Sequence, residues 1–316
     1  MSVTTPITQA IDDGQLSRKQ LRALMRRSDA LPALHLGLWL ILVGASGFVV
    51  ASAMGSIWLW PAMFVHGVIL VHHFSLQHEC THYTVFNTRR LNVWVSWMCG
   101  LVIMLAPKYF RYEHCDHHTW TQQTGRDPEQ IPLPKTIWAY LWYLSSVPYW
   151  QAKFSEVGRH ALGRMSAQDR AFVPESEYAS IFLEARVLVA VYAIVIATMI
   201  LFEWSAPLYL WIIPVVLGEP VMRYIRMTEH VGMPPVADMR RNTRTNQVWA
   251  PLQWLCWNMN YHAEHHYASS VPYHALPQMH RLLQGYLPSQ VGGYAGAHRD
   301  MLAQLGGAKP RCDEGL

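Results

Sequence analysis

The 316-residue sequence predicts an all-α integral membrane protein: four transmembrane helices, flanking interfacial helices and a cytosolic helical cap that holds a di-metal site. Three observations carry this expectation. Hydrophobic residues make up 51% of the chain and charged residues 15%, with 14 Trp, a balance suited to a bilayer. Four apolar stretches are about long enough to cross a hydrocarbon core of roughly 30 Å. Eight of the 17 histidines fall into three clusters with metal-ligand spacing.

Taken in order, Ser17–Leu31 reads as a basic helix. Ser17 and Gln20 form a capping box, and Leu21, Leu24 and Met25 make an apolar stripe among Arg18, Lys19, Arg22, Arg26 and Arg27. That pattern fits a helix on an anionic membrane surface or a solvated basic helix about equally. Leu36–Ala53 and Ile57–Leu76 carry no formal charge and form the first pair of spans, joined by a tight turn at Gly55–Ser56. Asn92–Ala106 is too short to span and reads as re-entrant or interfacial. Ile137–Trp150, rich in Trp and Tyr, suits the headgroup level, whereas 151–177 is polar. Val187–Phe202 and Leu208–Tyr224 form the second pair of spans. The last fifty residues are loop-rich.

The chain therefore reads as one domain, with an N-terminal cytosolic or interfacial segment (1–33), a transmembrane pair (34–76), cap (77–182), a second pair (183–225) and cap again (226–316). The two turns inside the pairs, Met54–Ile57 and Glu203–Pro207, contain no Lys or Arg, so all 25 basic residues fall on one side. The positive-inside rule makes that side cytoplasmic, with both termini and every histidine cluster on it. The net charge of +4 is spread along the chain and gives no reason to expect a nucleic-acid partner. Five cysteines without a C-x-x-C pair read as reduced thiols; Cys80 and Cys115 lie inside the clusters.

The clusters are HECTH, with His78 and His82; EHCDHH, with His114, His117 and His118; and NYHAEHHY, with His262, His265 and His266. On a helix, offsets of three and four share one face, so these imidazoles converge. Neutral imidazole is the commonest nitrogen ligand for transition metals. Eight are too many for one tetrahedral ion, which takes about four ligands, so two ions are implied. The isolated histidines His35, His66, His160, His274, His280 and His298 read as core residues. Carboxylates adjoin the clusters: Glu79, Glu113, Asp116, Asp127, Glu229 and Glu264. Each is as readily solvated as it is an acceptor for a ligand N–H. Pro128 restricts Asp127 of the TGRDPE stretch to an extended conformation, fitting a turn. Arg240, Arg241 and Arg244 fit a cytosolic surface better than a headgroup site.

Three boxes in this order, with these hydrophobic separators, resemble the membrane fatty acid desaturase and hydroxylase superfamily from about His78 to His280. The resemblance implies a four-helix membrane stem and a cytosolic cap with a non-haem di-iron centre that uses O2. By position it implies ligation by His78, His82, His114, His117, His118, His262, His265 and His266, and by His230 near the end of the fourth span. Some animal members carry an asparagine one turn before that last histidine, where this chain has Arg226. Glu79, Asp116, Asp127, Glu229 and Glu264 are the expected outer-sphere residues.

The chemistry points the same way, because removing hydrogen from an unactivated alkyl carbon needs a cofactor that can activate dioxygen. The expected function is desaturation of an aliphatic, lipid-like chain, with hydroxylation on the same site as the alternative. HECTH also matches the zinc-protease signature H-E-x-x-H with Glu79 as base, leaving an intramembrane zinc hydrolase as a remote alternative. The chain has no nucleotide fingerprint, and its cysteines cannot hold an iron–sulfur cluster. Electrons are therefore expected from a separate ferredoxin, rubredoxin or cytochrome with its reductase, docking near Arg89, Arg90, Lys108 and Arg111.

Overall fold

The computed structural model describes residues 6–305. Cys312 and the two ends of the chain, on which the expected cytoplasmic termini fall, lie outside the described residues. In chain order the helices are α1 (Pro6–Asp12), α2 (Arg18–Leu24), α3 (Ala30–Ser52), α4 (Leu59–Val71), α5 (His73–Thr81), α6 (Arg89–Ile103), α7 (Pro107–Trp120), α8 (Ile137–Leu144), α9 (Val147–Ala161), α10 (Asp169–Phe172), α11 (Tyr178–Leu201) and α12 (Ile213–His230). After them come α13 (Met239–Asn242), α14 (Ala250–Leu255), α15 (His262–Tyr267), α16 (Leu276–Leu282) and α17 (Gly293–Leu305). Strands β1 (Thr245–Asn246) and β2 (Ser289–Gln290) pair in parallel, Thr245 opposite Ser289.

Four helical stretches are long and apolar enough to cross a membrane: Ala30–Ser52, Leu59–Thr81, Glu175–Leu201 and Leu208–His230. Each contains most of an expected span, with boundaries moved. The second runs on through α5 and so carries His78, while the fourth opens with a π-helical turn at Leu208–Ile212 and ends on His230. The short apolar segment forms α6. It cannot continue straight, because Met104 adopts a left-handed conformation (φ 56°) and Pro107 follows, and α7 departs at 98°. The expected basic helix is shorter than Ser17–Leu31. Its capping box is present, but the helix closes at Met25.

The chain divides into two compact units, residues 28–116 with 145–223 and residues 1–27 with 117–144 and 224–316. The first holds most of the apolar length. Its helix α3 turns Leu34, Ile41 and Phe48 outward, 62%, 68% and 72% exposed, the surface expected of a helix whose solvent is lipid. Inside the unit, α4 and α12 cross backbone to backbone, since a Cβ on Gly67 would stand 1.9 Å from the Pro214 carbonyl oxygen. Small residues permit such close approach in membranes, where packing drives helix association. His66 joins three spans, with Nε2 donating to the Leu210 carbonyl at 3.0 Å and Nδ1 2.7 Å from Ser46 Oγ. Charged groups on the spans are also engaged: Glu184 accepts from the Lys108 N–H at 2.8 Å, and Arg223 pairs with Glu219 at 2.7 Å, as burial of charge requires.

The second unit is cored by Leu16, Leu24, Tyr261, Ala263, Tyr267, Val271, Leu276 and Met279. A second cluster gathers Tyr140, Met227, Val231, Ala297 and Met301. Between two adjacent left-handed residues, Trp257 and Asn258 (φ 52° and 58°), and the parallel bridge, the chain is steered into α15.

Candidate metal centre

The second unit builds a four-histidine group by itself. His117 comes from the end of α7, His230 from the end of α12, and His262 and His266 from one face of α15. Each offers one ring nitrogen, and these atoms lie within 4.8 Å of one another, all four residues buried. His262 Nε2 stands 3.0 Å from His230 Nε2 and 3.1 Å from His266 Nε2. In the same unit His118 Nε2 lies 3.1 Å from His265 Nε2, and the His118 ring stacks on His266 at 4.1 Å.

The outward nitrogens fix the tautomers. His117 Nδ1 donates to Asp127 at 2.7 Å, and His230 Nδ1 donates to the Asn242 carbonyl at 3.2 Å. Thr121 gives its hydroxyl proton to the His117 carbonyl at 2.7 Å, so its oxygen accepts from His266 Nδ1 at 3.2 Å. With those protons outward, His117, His230 and His266 present their Nε2 lone pairs inward. The two that meet His262 Nε2 cannot both be satisfied by hydrogen bonds, because that atom carries at most one proton. A metal ion accepts all of them. All four ring nitrogens, lying within 4.8 Å of one another, are close enough to share one ion. The donor set therefore fits a transition metal.

Electrostatics favour neutral donors at His262 and His266. Burial holds His262 and His266 well below the ordinary imidazole range, reinforced by neighbouring imidazoles. At His117 burial works in the same direction, but the Glu129 and Asp127 carboxylates outweigh it and shift the group upward. A carboxylate on the outward N–H also raises the basicity of the nitrogen opposite.

Asp127 is held in turn. Its carboxylate accepts from the backbone N–H of Gln122 (2.8 Å) and of Glu129 (2.9 Å), which closes the turn expected of TGRDPE around Gly125 at φ 80°. Arg226 bridges Glu129 at 2.6 Å and Glu229, and a Glu229 oxygen lies 3.7 Å from His262 Nε2. Glu264, fully buried on α15, accepts from His280 Nδ1 at 2.6 Å and from Thr245.

In the other unit the remaining histidines gather as well. The His78 and His114 rings meet at 4.1 Å, His82 and His114 at 5.0 Å, with Phe110 stacked on His114 at 5.3 Å. Glu79 is buried on α5, 3.6 Å from His78 Nδ1, and Asp116 is half-buried on α7. Among the described residues no cysteine enters the four-histidine group.

Sequence reasoning missed Asn242, Thr121 and His280. Asn242 lies within the basic stretch expected at the surface, yet 242–246 is buried and Arg244 bonds the Val231 carbonyl, so that run lines the back of His230 instead of holding a headgroup. His280 was expected in the core and instead pairs with Glu264 between the ligand positions. His160 and His298 are satisfied core residues, bonded to Asp169 and to Tyr140 with the Tyr224 carbonyl. Among the expected docking residues, Lys108 pairs with Glu177 at 2.9 Å and Arg111 bonds the Thr81 carbonyl and stacks on Tyr83.

Residues 56–297 match the fatty acid desaturase family. The chain is 25% identical over 295 residues to a sphingolipid delta(4)-desaturase/C4-monooxygenase of Rattus norvegicus, covering 89% of this chain and 82% of that protein. It is 32% identical over 95 residues to a fatty acid conjugase of Calendula officinalis, 28% of this chain and 24% of that one. With a delta(12) fatty acid desaturase of Mortierella isabellina the identity is 30% over 78 residues, 24% and 19% of the two chains.

Proposed function

The chain belongs to the fatty acid desaturase family, and from that premise we propose that it is a di-iron enzyme that uses O2 and external electrons to desaturate an aliphatic chain of a lipid. Membership and the four spans make it a multi-pass membrane oxidoreductase acting on lipid; the iron, the oxidant and the reaction are our reading. The observation that carries it is the convergence of inward Nε2 lone pairs in the four-histidine group.

One iron would be held by His117, His230, His262 and His266. The other clustered histidines would supply ligands to the second iron. When bound, the two irons supply oxidising power that no side chain has. The chain's own groups do the rest: Asp127, Asn242 and Thr121 orient three imidazoles, and Arg226 keeps the Glu229 carboxylate beside His262. Glu79, 3.6 Å from His78 Nδ1, and Asp116 would adjoin ligands of a second iron. The reaction takes two hydrogens from adjacent carbons and two electrons with two protons from outside, and returns both oxygens of O2 as water. A ferredoxin, rubredoxin or cytochrome with its reductase would bring those electrons to a cytoplasmic site, docking near the exposed Arg89, which also stacks on Tyr83 at 4.4 Å, and Arg90. Hydroxylation is the second reading, favoured by the near full-length relative whose name carries both activities. HECTH as a zinc-hydrolase site has no support beyond its spacing.

Purified protein should contain two irons and, with carrier, reductase, O2 and a lipid pool, yield products lacking two hydrogens by mass spectrometry. Products gaining one oxygen would establish the hydroxylase reading. A single zinc with hydrolysed lipid or peptide would overturn both. For orientation, cysteines placed at 54–57 should react with an impermeant reagent from outside intact cells, and cysteines beside Ser2 and Gly315 should not.

A further inference from the structure

The N-terminal helices leave a feature that the metal centre does not use. Helices α1 and α2 are pinned to the second unit's core through Ala10, Leu16 and Leu24, and Tyr286 donates to Asp13 at 2.8 Å. Between them lies a groove of about 220 Å³ whose lining is mostly apolar. Ile11, Leu21 and Met25 line it together with Thr8, Asp12, Arg18 and Arg22. Arg18, Lys19, Arg22, Arg26 and Arg27 are all exposed. Across 6–27 these five cations face two acids, Asp12 and Asp13, and Asp13 is engaged by Tyr286.

Chain connectivity then places this groove near a bilayer. The first span starts at Ala30, six residues beyond the end of α2 at Leu24, so the helix is tethered within about 20 Å of a membrane entry point, at roughly 3.3 Å per residue. Two arginines beside apolar lining residues next to a span match an anionic phospholipid. Its phosphate would meet the guanidinium forks of Arg18 and Arg22, which suit phosphate oxygens, and its first methylenes would cover Ile11, Leu21 and Met25. An acidic protein carrier would use the charge but not the apolar lining residues.

We propose that the α1–α2 groove is a binding site for one anionic phospholipid, separate from the catalytic substrate. The full-length protein would be purified from nanodiscs of phosphatidylcholine mixed with phosphatidylglycerol, and the lipid retained per protein counted by native mass spectrometry. Wild type should retain phosphatidylglycerol in preference to phosphatidylcholine. The double variant Arg18→Gln/Arg22→Gln should lose that preference by about tenfold, in line with the usual worth of basic groups at an anionic surface. The charge-matched Arg26→Gln/Arg27→Gln, away from the groove, should keep most of it. Both pairs are exposed, and an unchanged melting temperature checks the fold. Equal loss in the two variants would reduce the groove to diffuse surface charge and overturn the site. So would full retention in the Arg18/Arg22 variant with slowed carrier-dependent turnover, which would assign the patch to a protein partner.

Discussion

Helices α3 and α15 invert the usual rule of what is buried. Helix α3 is apolar along its whole length and leaves Leu34, Ile41 and Phe48 largely exposed, whereas α15, HAEHHY, carries three histidines and a glutamate and is buried at every position. Neither is a misplacement, because each helix faces the medium that satisfies it. Lipid requires only that backbone polar groups be bonded internally and side chains be apolar. A polar helix in a dry interior requires a partner for each polar atom, and around α15 those partners are Thr121, Thr245, His280 and the neighbouring imidazoles. An apolar helix can thus be moved against its surroundings at modest cost, while α15 tolerates almost no change.

The sharpest break in that comparison is His266→Ala. Removing one of four converging donors should lower turnover by about a hundredfold or more and reduce bound metal, read by product formation and elemental analysis, while the protein stays in the membrane fraction. Normal metal content in this variant would remove His266 from the ligand set.

On the other side, Ile41→Arg puts a charge on the lipid-facing side of α3. Its cost is about 3 kcal/mol near a helix centre, and the fraction of protein inserted should fall. A water-facing α3 would show little change, or greater solubility.

Asp127→Asn should act less strongly. It keeps the shape but weakens the acceptor for His117 Nδ1, so metal affinity should fall by about ten- to a hundredfold, measured by competition with a chelator. Rescue by Asp127→Glu is not expected, because the carboxylate also accepts two backbone N–H groups.

The smallest effect belongs to His35→Ala. His35 is a half-buried residue of α3 outside both histidine groups. Stability should change by less than about 0.5 kcal/mol, and turnover should match wild type. A large loss of activity would mean that isolated histidines on the spans also serve the centre.

How far these contrasts could be read beforehand depends on the range of the interaction. Box spacing is local: offsets of three and four on a helix determine which imidazoles share a face, and His262 with His266 follow that rule. The spans were legible because a long, largely apolar run is a property of consecutive residues. Their ends were less so. The second span runs on to Thr81 and α2 stops at Met25, since tertiary contacts and not composition set those boundaries.

The sequence by itself determined the four apolar spans and the histidine boxes, which rest on residues close together in the chain, and the family, which rests on the order of those boxes. Only the tertiary structure decided that His230 meets His262 and His266, that Asn242 and Thr121 set their tautomers, that Asp127 is fastened to His117 and Arg226 to Glu129, and that the basic run around Arg244 turns inward. Each of those contacts joins residues too far apart in the chain to share one helical turn. A hydrogen-bond acceptor is identified by where its oxygen lies in space, and no short-range pattern encodes that.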